Sequence, residues 1–164
     1  MVTDKTETAS ARHQAVVTVR PLEAGDLDAV VAIDQQLTGR SRHGFFERRL
    51  KSALKAPKDF IYVGACIDGT LRGYALVRLL GGEFGQDTAG MLDAIGVDPR
   101  AEGKGLGRAL LSGIEEVMRH KGVSELQTET EWTNADLLGF FAHAGFERAP
   151  RLVLKRDVAS DLNW

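Results

Sequence analysis

The sequence predicts a mixed α/β fold in which helices pack around one central sheet, and three observations support this prediction. Apolar runs of strand length and apolar stripes with helical spacing follow one another along the chain. The dipeptide Asp68-Gly69 separates two apolar runs, which is a strong signal for a β-hairpin. Residues 95–111 pass from an apolar run through a glycine-rich turn into an amphipathic stripe, a pattern typical of a strand followed by a helix.

The first half of the chain predicts one strand, two helices and the hairpin. A β-branched run at 16–20 predicts the strand. Apolar residues with helical spacing predict helices over 22–37 and 41–54. The two strands of the hairpin are expected over 59–67 and 71–80.

The second half predicts a loop, three strands and two helices. Glycines and polar residues over 81–88 indicate the loop. The other elements are strands over 89–97, 126–132 and 151–156 and helices over 103–121 and 133–144. Thr133, with Asp136 three residues later, predicts the cap of the last helix. The expected order is therefore β-α-α-β-β-β-α-β-α-β.

Length and composition are those of one globular domain. The chain has 164 residues, of which 43% are hydrophobic and 27% are charged. Residues 1–15 are polar and predict a disordered lead, so the domain is expected over 16–164.

Charge and cysteine content exclude some partners and indicate a compartment. The formal net charge of -2 gives no global basic field, so no nucleic-acid partner is expected. No apolar stretch reaches the ~20 residues that span a bilayer, and residues 1–15 lack the apolar core of a secretory signal. The single cysteine, Cys66, cannot form an internal disulfide, which favours a cytoplasmic protein without a membrane partner. Its apolar neighbours predict a small buried strand residue rather than a nucleophile.

The most informative segment is the glycine-rich turn before the third helix. Gly103, Gly105 and Gly107 remove side chains where the helix begins, so that unpaired backbone N–H groups can converge on a phosphate. Lys104 and Arg108 add positive charge nearby. A nucleotide P-loop is excluded because a glycine follows Lys104, and the G-x-G-x-G spacing differs from the dinucleotide fingerprint. The turn therefore predicts a diphosphate site of another kind.

Two motifs in this region resemble a known family. The run Val97-Asp98-Pro99 followed by residues 103–110 resembles the acetyl-CoA-binding motif of the GNAT superfamily of N-acetyltransferases. Asn134, followed by Gly145-Phe146 after a short helix, resembles the later motif of that family. The order of elements over 16–156 is also similar. Two motifs in register are far more specific than either one alone.

The resemblance implies a mixed, mostly antiparallel sheet flanked by about four helices, with a splayed strand pair. It implies acetyl-CoA as the cosubstrate and no metal. In the family, the turn binds the CoA diphosphate, and the pantetheine arm lies along the preceding strand. An N–H group of Ile95 or Val97 would then polarise the thioester carbonyl. The implied cofactor-binding residues are Ile95, Gly96, Val97, Gly103, Lys104, Gly105, Leu106, Gly107, Arg108, Asn134 and Phe141.

The sequence departs from the family pattern at two positions. Glu102 stands where Arg or Gln is common, and a carboxylate near a diphosphate is unfavourable unless it turns outward. Arg100 is expected to compensate for this charge. Phe141 stands where many members have the tyrosine that protonates the leaving thiolate. A thiol with a reference pKa of about 8.5 can leave with help from water alone, so activity is not excluded.

The acceptor amine must lose its proton before it can attack a thioester, and a carboxylate can accept that proton. Asp93 is the first candidate, because it lies on the strand that leads into the glycine turn. Glu129 and Glu131, on the strand expected to face it, are the second choices.

Two arginines are candidates for contact with the acceptor. Arg40 and Arg42 lie between the first two helices, a region that forms one wall of the acceptor site in the family. They can clamp a carboxylate or phosphate, although solvated arginines are the simpler interpretation. The four histidines show no metal-ligand spacing.

The leading hypothesis is an enzyme that transfers an acetyl group from acetyl-CoA to a primary amine of a small molecule, a protein N-terminus or a lysine. Transfer occurs by direct attack in a ternary complex. The alternative is a non-catalytic or regulatory acyl-CoA-binding module, which Glu102 and Phe141 suggest. The resemblance also allows a homodimer.

Overall fold

The computed structural model describes residues 15–81 and 88–158, and five strands within them form one sheet in chain order. The strands are β1 (Val17–Pro21), β2 (Phe60–Ile67), β3 (Thr70–Leu80), β4 (Ala89–Val97) and β5 (Glu125–Thr128). The first four pair antiparallel, whereas β4 and β5 are parallel. This arrangement confirms the predicted α/β fold with a mixed, mostly antiparallel sheet.

Four α-helices accompany the strands in the described part of the chain. They are α1 (Leu27–Thr38), α2 (His43–Lys55), α3 (Leu106–His120) and α4 (Ala135–His143). The chain divides between Glu129 and Thr130 into two compact units. The first unit holds the sheet with α1 to α3, and the second holds α4. The expectation of one domain over 16–164 stays a prediction.

The hairpin between β2 and β3 has the predicted two-residue turn. Asp68 and Gly69 both have positive φ, at 48° and 80°. Two such residues form the turn whose twist matches the flanking strands. The register therefore runs from Ile67↔Thr70 to Phe60↔Arg78, with one irregularity at Ala65/Cys66.

The two faces of the sheet are covered by different helices. A cluster that includes Val30 of α1, Phe46 of α2 and Tyr74 of β3 forms the core on one face, and Cys66 is buried in it as predicted. On the other face α3 lies very close to the sheet. A Cβ on Gly73 of β3 would lie 3.2 Å from the Leu110 side chain of α3.

Strand β4 extends well beyond its partner β5. The pairing with β5 ends at Leu92↔Thr128, whereas β4 continues to Val97 against β3. Within β4, Leu92 pairs with Val77 and Ala94 with Leu76, so Asp93 is the extra residue of a β-bulge. The edge of β4 that faces away from β3 is therefore open after Leu92 in the described sheet.

Several helices begin later than the sequence predicts. The chain forms a 3-10 turn at Ala24–Asp26 before α1, because the Asp26 carboxylate binds the Glu23 N–H group and pairs with Arg20. Helix α3 begins at Leu106 instead of Gly103, because Gly103 and Gly105 both have left-handed backbone.

The structure differs from the prediction at the end of β5, in the first unit, and at the cap of α4, in the second unit. The strand expected over 126–132 ends at Thr128, where pairing with β4 stops. Asn134, and not Thr133, caps α4, because its side chain accepts the Leu137 N–H group at 3.1 Å.

The final strand expected over 151–156 is also wrong. These residues have no regular secondary structure, and Leu152 and Leu154 are each 88% exposed. Alternating apolar residues form a strand only when a neighbouring strand takes up their backbone hydrogen bonds. The predicted lead over 1–15 (all but Ala15) and most of the loop over 81–88 lie outside the described residues.

Candidate active site

The turn between β4 and α3 has a backbone that its glycines make possible. Gly103 and Gly105 have φ angles of 74° and 76°, in the left-handed region that favours glycine. A Cβ on either residue would meet no atom within 4 Å, so the space beside both backbones is open. A ligand can therefore approach the main chain closely at these two positions.

A row of unpaired N–H groups lines this turn. The N–H group of Glu102 bonds to Pro99 and that of Ala109 to Gly105. Between them, the N–H groups of residues 103–108 donate no hydrogen bond to the described part of the protein. The buried Leu106 fixes the start of the helix, and Lys104 and Arg108 are exposed beside it. Unpaired donors at a helix N-terminus, together with the helix dipole, attract an anion.

Asp98 anchors the strand end that leads into this turn. Its carboxylate is only 1% exposed and accepts hydrogen bonds from the Arg100 backbone N–H at 3.0 Å, the Arg100 guanidinium and the Arg72 guanidinium. These donors, with Arg100 first, hold the pKa of Asp98 well below its usual range. The Arg100 guanidinium thus pairs with Asp98, and its expected compensation for Glu102 stays a prediction.

The three β4 residues expected to contact pantetheine lie at the splayed end of the strand. Ile95 and Val97 are half-buried, and Gly96 is buried. They pair with β3 on one side, through Ala75, Tyr74 and Gly73. Since β5 stops pairing at Leu92, the opposite edge of this segment is open for an extended ligand.

Asp93 is held by two arginines. The Arg78 guanidinium donates to both carboxylate oxygens, at 2.7 and 3.0 Å, and Arg49 lies at 3.3 Å. Asp93 raises the pKa of Arg78 through the same hydrogen bonds. Both oxygens thus have charged donors before any acceptor binds.

The two candidate glutamates fall in different units of the chain. Glu129 is exposed directly after β5, in the first unit, and its charge acts on Arg78. Glu131 is exposed in the second unit, where its backbone carbonyl accepts the Asn134 N–H group at 2.9 Å. The catalytic roles of Asp93, Glu129 and Glu131 stay predictions.

The two candidate acceptor arginines have different environments. Arg42 donates through two nitrogens to the buried Asp34, which also accepts from the Tyr74 hydroxyl at 2.9 Å. Burial alone would raise the pKa of Asp34, but these donors outweigh it and lower that pKa. Arg42 therefore ties the start of α2 to α1 and β3. Arg40 is exposed, so it is the freer of the two to meet an acceptor.

In the second unit, the residues of the later motif have local roles. Asn134 caps α4, as described above. Phe141 is 5% exposed and packs its ring 5.3 Å from Phe140 and 4.9 Å from Phe146, measured between ring centroids. The position therefore carries a buried ring without a hydroxyl.

The candidate site contains four further residues that the sequence did not predict: Arg49, Arg78, Arg72 and Tyr62. A signal was present in the sequence for one of them, Arg78. Arg78 and Asp93 are single charges inside apolar runs of neighbouring strands, and an isolated charge in such a run needs a partner. Among residues 15–81 and 88–158, no group of three or more potential metal ligands comes together. No helix there is long and apolar enough to cross a membrane.

The mixed sheet, the open edge of β4 and the turn of unpaired N–H groups are the features that the resemblance in the sequence implies. The pattern of the Acetyltransferase (GNAT) family matches residues 28–146, which include the turn, β4 and α4. The chain therefore belongs to the GNAT family, as the two sequence motifs predicted.

Curated relatives match this chain at moderate identity. A mycothiol acetyltransferase of Beutenbergia cavernae is 40% identical over 57 residues, covering 35% of this chain and 19% of the relative. The mycothiol acetyltransferase of Clavibacter sepedonicus is 26% identical, covering 92% of this chain and 46% of its own length. The chain thus spans less than half the length of these relatives. A [ribosomal protein bS18]-alanine N-acetyltransferase of Escherichia coli K12 is 26% identical, covering 80% of this chain and 82% of the relative.

Solved structures share the fold. An aminoglycoside N-acetyltransferase crystallised with CoA superposes with a TM-score of 0.76 at 18% identity, covering 90% of this chain and 98% of that one. An integron cassette protein from a salt-marsh metagenome superposes with a TM-score of 0.70 at 27% identity, covering 87% and 91%.

Proposed function

We propose that the protein transfers an acetyl group from acetyl-CoA to a primary amine, by direct attack of the amine in a ternary complex. The observation that carries this proposal is the row of unpaired N–H groups at residues 103–108, directly after the open edge of β4. A turn of unpaired backbone N–H donors at the start of a helix fits the oxygens of a diphosphate. An open strand edge fits an extended arm. CoA carries both groups.

The diphosphate would lie against the turn. Its oxygens accept hydrogen bonds from the N–H groups of residues 103–108, and the dipole of α3 favours their negative charge. Lys104 and Arg108 supply further positive charge from the solvent side. The exposed Glu102 points its charge into solvent, where water screens it.

The pantetheine arm would extend the sheet beside β4. Its amide groups pair with the open edge of residues 93–97, which places the thioester near the bulge at Asp93. An N–H group of Ile95 or Val97 then donates to the thioester carbonyl and stabilises the oxyanion that forms during attack.

The chemistry is one acyl transfer. The amine nitrogen forms a bond to the thioester carbonyl carbon, and the bond between that carbon and sulfur breaks. The ammonium group of the acceptor gives one proton to a carboxylate before the nitrogen attacks. The second proton, which the nitrogen loses as the amide forms, passes through water to the departing thiolate. Water fills this last role because Phe141 has no hydroxyl.

We infer that Glu129 is the better placed of the three carboxylates to accept the proton. Asp93 already accepts from Arg78 through both oxygens, which orients it as a partner of arginines. Glu129 is exposed directly after β5, where pairing with β4 has stopped, and forms no ion pair with the described residues. Glu131 remains the third candidate.

The acceptor belongs to the amines that the relatives' names indicate, either on a small molecule or on a protein. The mycothiol and ribosomal-protein acetyltransferases both match over residues that include the glycine turn. We place the protein in the cytoplasm and expect acetyl-CoA as its cosubstrate, without a metal. A homodimer is consistent with the family.

An acetyl-CoA turnover screen over amines tests the proposal. Free thiol should be released only when protein, acetyl-CoA and a suitable amine are all present. The alternative, a non-catalytic acyl-CoA-binding module, is favoured by the buried Phe141 ring in place of a phenol. That alternative predicts tight CoA binding with no amine-dependent thiol release.

A further inference from the structure

A charged cluster lies on the α2 face of the sheet, beside the splayed end of β4. It brings together Arg49 of α2, Arg78 of β3 and Asp93 in the β4 bulge. The Tyr62 hydroxyl of β2 is close enough that the charges of all three act on it. Four elements thus bring polar groups together around the residue that follows the last pair between β4 and β5.

The cluster has more positive than negative charge. Two guanidiniums face one carboxylate, which leaves a formal charge of +1. Arg78 uses Nε and Nη2 for Asp93, whereas Arg49 makes a single ion pair at 3.3 Å. Arginine has five N–H donors, so both side chains retain unused ones among the described contacts. Their side chains are 39% and 31% exposed, so an acceptor can reach them.

Tyr62 adds an unsatisfied donor to the same place. Its hydroxyl is buried, and it has no hydrogen-bond partner among the described residues. Burial raises the pKa of the phenol, while Arg49 acts in the opposite direction. The hydroxyl is therefore protonated at neutral pH and able to donate. A buried hydroxyl without a partner costs free energy, which an oxygen bound beside Arg49 would recover.

We propose that Arg49, Arg78 and Tyr62 form a subsite for a carboxylate of the acceptor, so that the acceptor is an amino-acid-like amine. This inference rests on the proposed acetyl transfer. The guanidinium groups offer the paired N–H donors that a carboxylate binds best. Asp93 holds Arg78 in place and keeps the guanidiniums from repelling each other.

Distances along β4 fit such an acceptor. Asp93 precedes Ile95 by two residues, which is about 7 Å along a strand. A carboxylate on the arginines therefore lies within a few bonds of an amine that attacks a carbonyl near Ile95. Glu129 supplies negative charge near Arg78 and suits the ammonium group before it loses its proton. The arrangement is complementary to a zwitterion and less suited to a polycation.

Matched pairs of amines test the inference. We would measure kcat and KM for L-amino acids, for their carboxamides and for a polycationic aminoglycoside, with the wild type, Arg49→Gln and Arg48→Gln. Arg48 is the matched control, because it is the exposed neighbour on α2 and has no ion pair among the described residues. The same proteins, saturated with CoA, would be titrated with an N-acetyl amino acid and with its amide.

The subsite predicts that the wild type prefers each carboxylate over its amide by about tenfold in kcat/KM. Arg49→Gln should remove that preference through KM, and Arg48→Gln should retain it. The N-acetyl amino acid should likewise bind more tightly than its amide, but not in Arg49→Gln.

Each contrary result has its own meaning. Equal use of acids and amides, preference for the polycation, or a preference that survives Arg49→Gln would overturn the subsite while leaving acetyl transfer intact. CoA binding without transfer to any amine would contradict the proposed function. In that case the titration with the N-acetyl amino acid and its amide still tests the subsite. Equal binding of the two compounds would overturn it.

Discussion

Asp98 accepts the backbone N–H group of Arg100 at 3.0 Å while its carboxylate lies 99% buried at the end of β4. The Asp98 N–H group in turn donates to the carbonyl of Arg72 on β3, at 2.7 Å. One residue therefore fastens the last pair of the β3–β4 ladder to the 3-10 turn at Pro99–Ala101. The position of the following glycine turn depends on this attachment.

Replacement of Asp98 by alanine should therefore weaken both the fold and CoA binding. The variant loses four hydrogen bonds that the Asp98 carboxylate accepts from Arg100 and Arg72, three of them from guanidinium nitrogens. We expect the free energy of unfolding to fall by about 2 kcal/mol and the Kd for CoA to rise by about tenfold. Chemical denaturation and calorimetric titration measure the two effects.

The matched control is Arg100→Gln, which keeps Asp98 and its backbone hydrogen bond but removes an exposed guanidinium. It should lower the free energy of unfolding by less than Asp98→Ala does, because Arg72 and the Arg100 N–H group still donate to the buried carboxylate. A CoA affinity as low in Arg100→Gln as in Asp98→Ala would show that charge, and not the anchored turn, supports binding.

Acid should destabilise the protein partly through the same carboxylate. The pKa of Asp98 is lower in the folded chain than its unfolded value of about 3.9. The folded state thus binds fewer protons, and the free energy of unfolding falls as the pH falls from about 5 through that lowered pKa. The Asp98→Asn variant should have a flatter profile, so its difference from the wild type should shrink toward pH 2. Denaturation series across that range provide the measurement, and parallel profiles would contradict it.

Gly105→Ala should separate backbone strain from ligand contact. Gly105 has a φ of 76°, where a Cβ is unfavourable, so the variant should lose about 1 kcal/mol of stability. The new methyl group also occupies the open space beside the unpaired N–H groups. We expect the Kd for CoA to rise by at least about tenfold, measured by calorimetric titration.

Gly122→Ala is the control for that experiment. Gly122 has a φ of 72° and open space around it, but it lies at the other end of α3. Its substitution should cost similar stability and leave CoA affinity unchanged. Equal affinities in the two variants would place the CoA diphosphate elsewhere.

The sequence predicted most of the sheet because local signals determine it. The hairpin strands follow from Asp68-Gly69, and β4 was predicted over the residues that the structure assigns to it. The strand predictions that were wrong depend on pairing with residues far away in the chain. Strand β5 stops at Thr128 because pairing with β4 stops there, and residues 151–156 form no strand pair in the described part of the chain.

The glycine turn could be recognised in the sequence, but the environment of the acidic residues could not. Gly103 and Gly105 are signals that do not need a partner. Asp93 is separated from Arg78 by 15 residues, and two strands lie between its own strand β4 and the helix α2 that carries Arg49. The sequence thus indicated Asp93 as an acidic site residue, but the structure was needed to identify its two arginine partners.

The last prediction distinguishes Glu129 from Asp93 as the proton acceptor. If Glu129 accepts the proton, Glu129→Gln should lower kcat by about 10²–10⁴-fold, the usual contribution of a general base, with little change in KM. Asp93→Asn should instead raise KM for the acceptor, because Arg49 and Arg78 lose the carboxylate that positions them. Both variants would be measured between pH 6 and 9 on an amine found in the turnover screen, with Glu131→Gln as the third member of the series.

The test is whether each variant changes kcat or KM, because the loss of a residue with a purely structural role would not change one of these parameters alone. Asp93→Asn leaves two half-exposed guanidiniums in contact with water, so the fold should survive and the kinetics remain interpretable. A loss of kcat in Asp93→Asn at unchanged KM, with full activity in Glu129→Gln, would return the role of base to Asp93. Its ion pairs with the arginines would then be contacts that the acceptor amine displaces on binding.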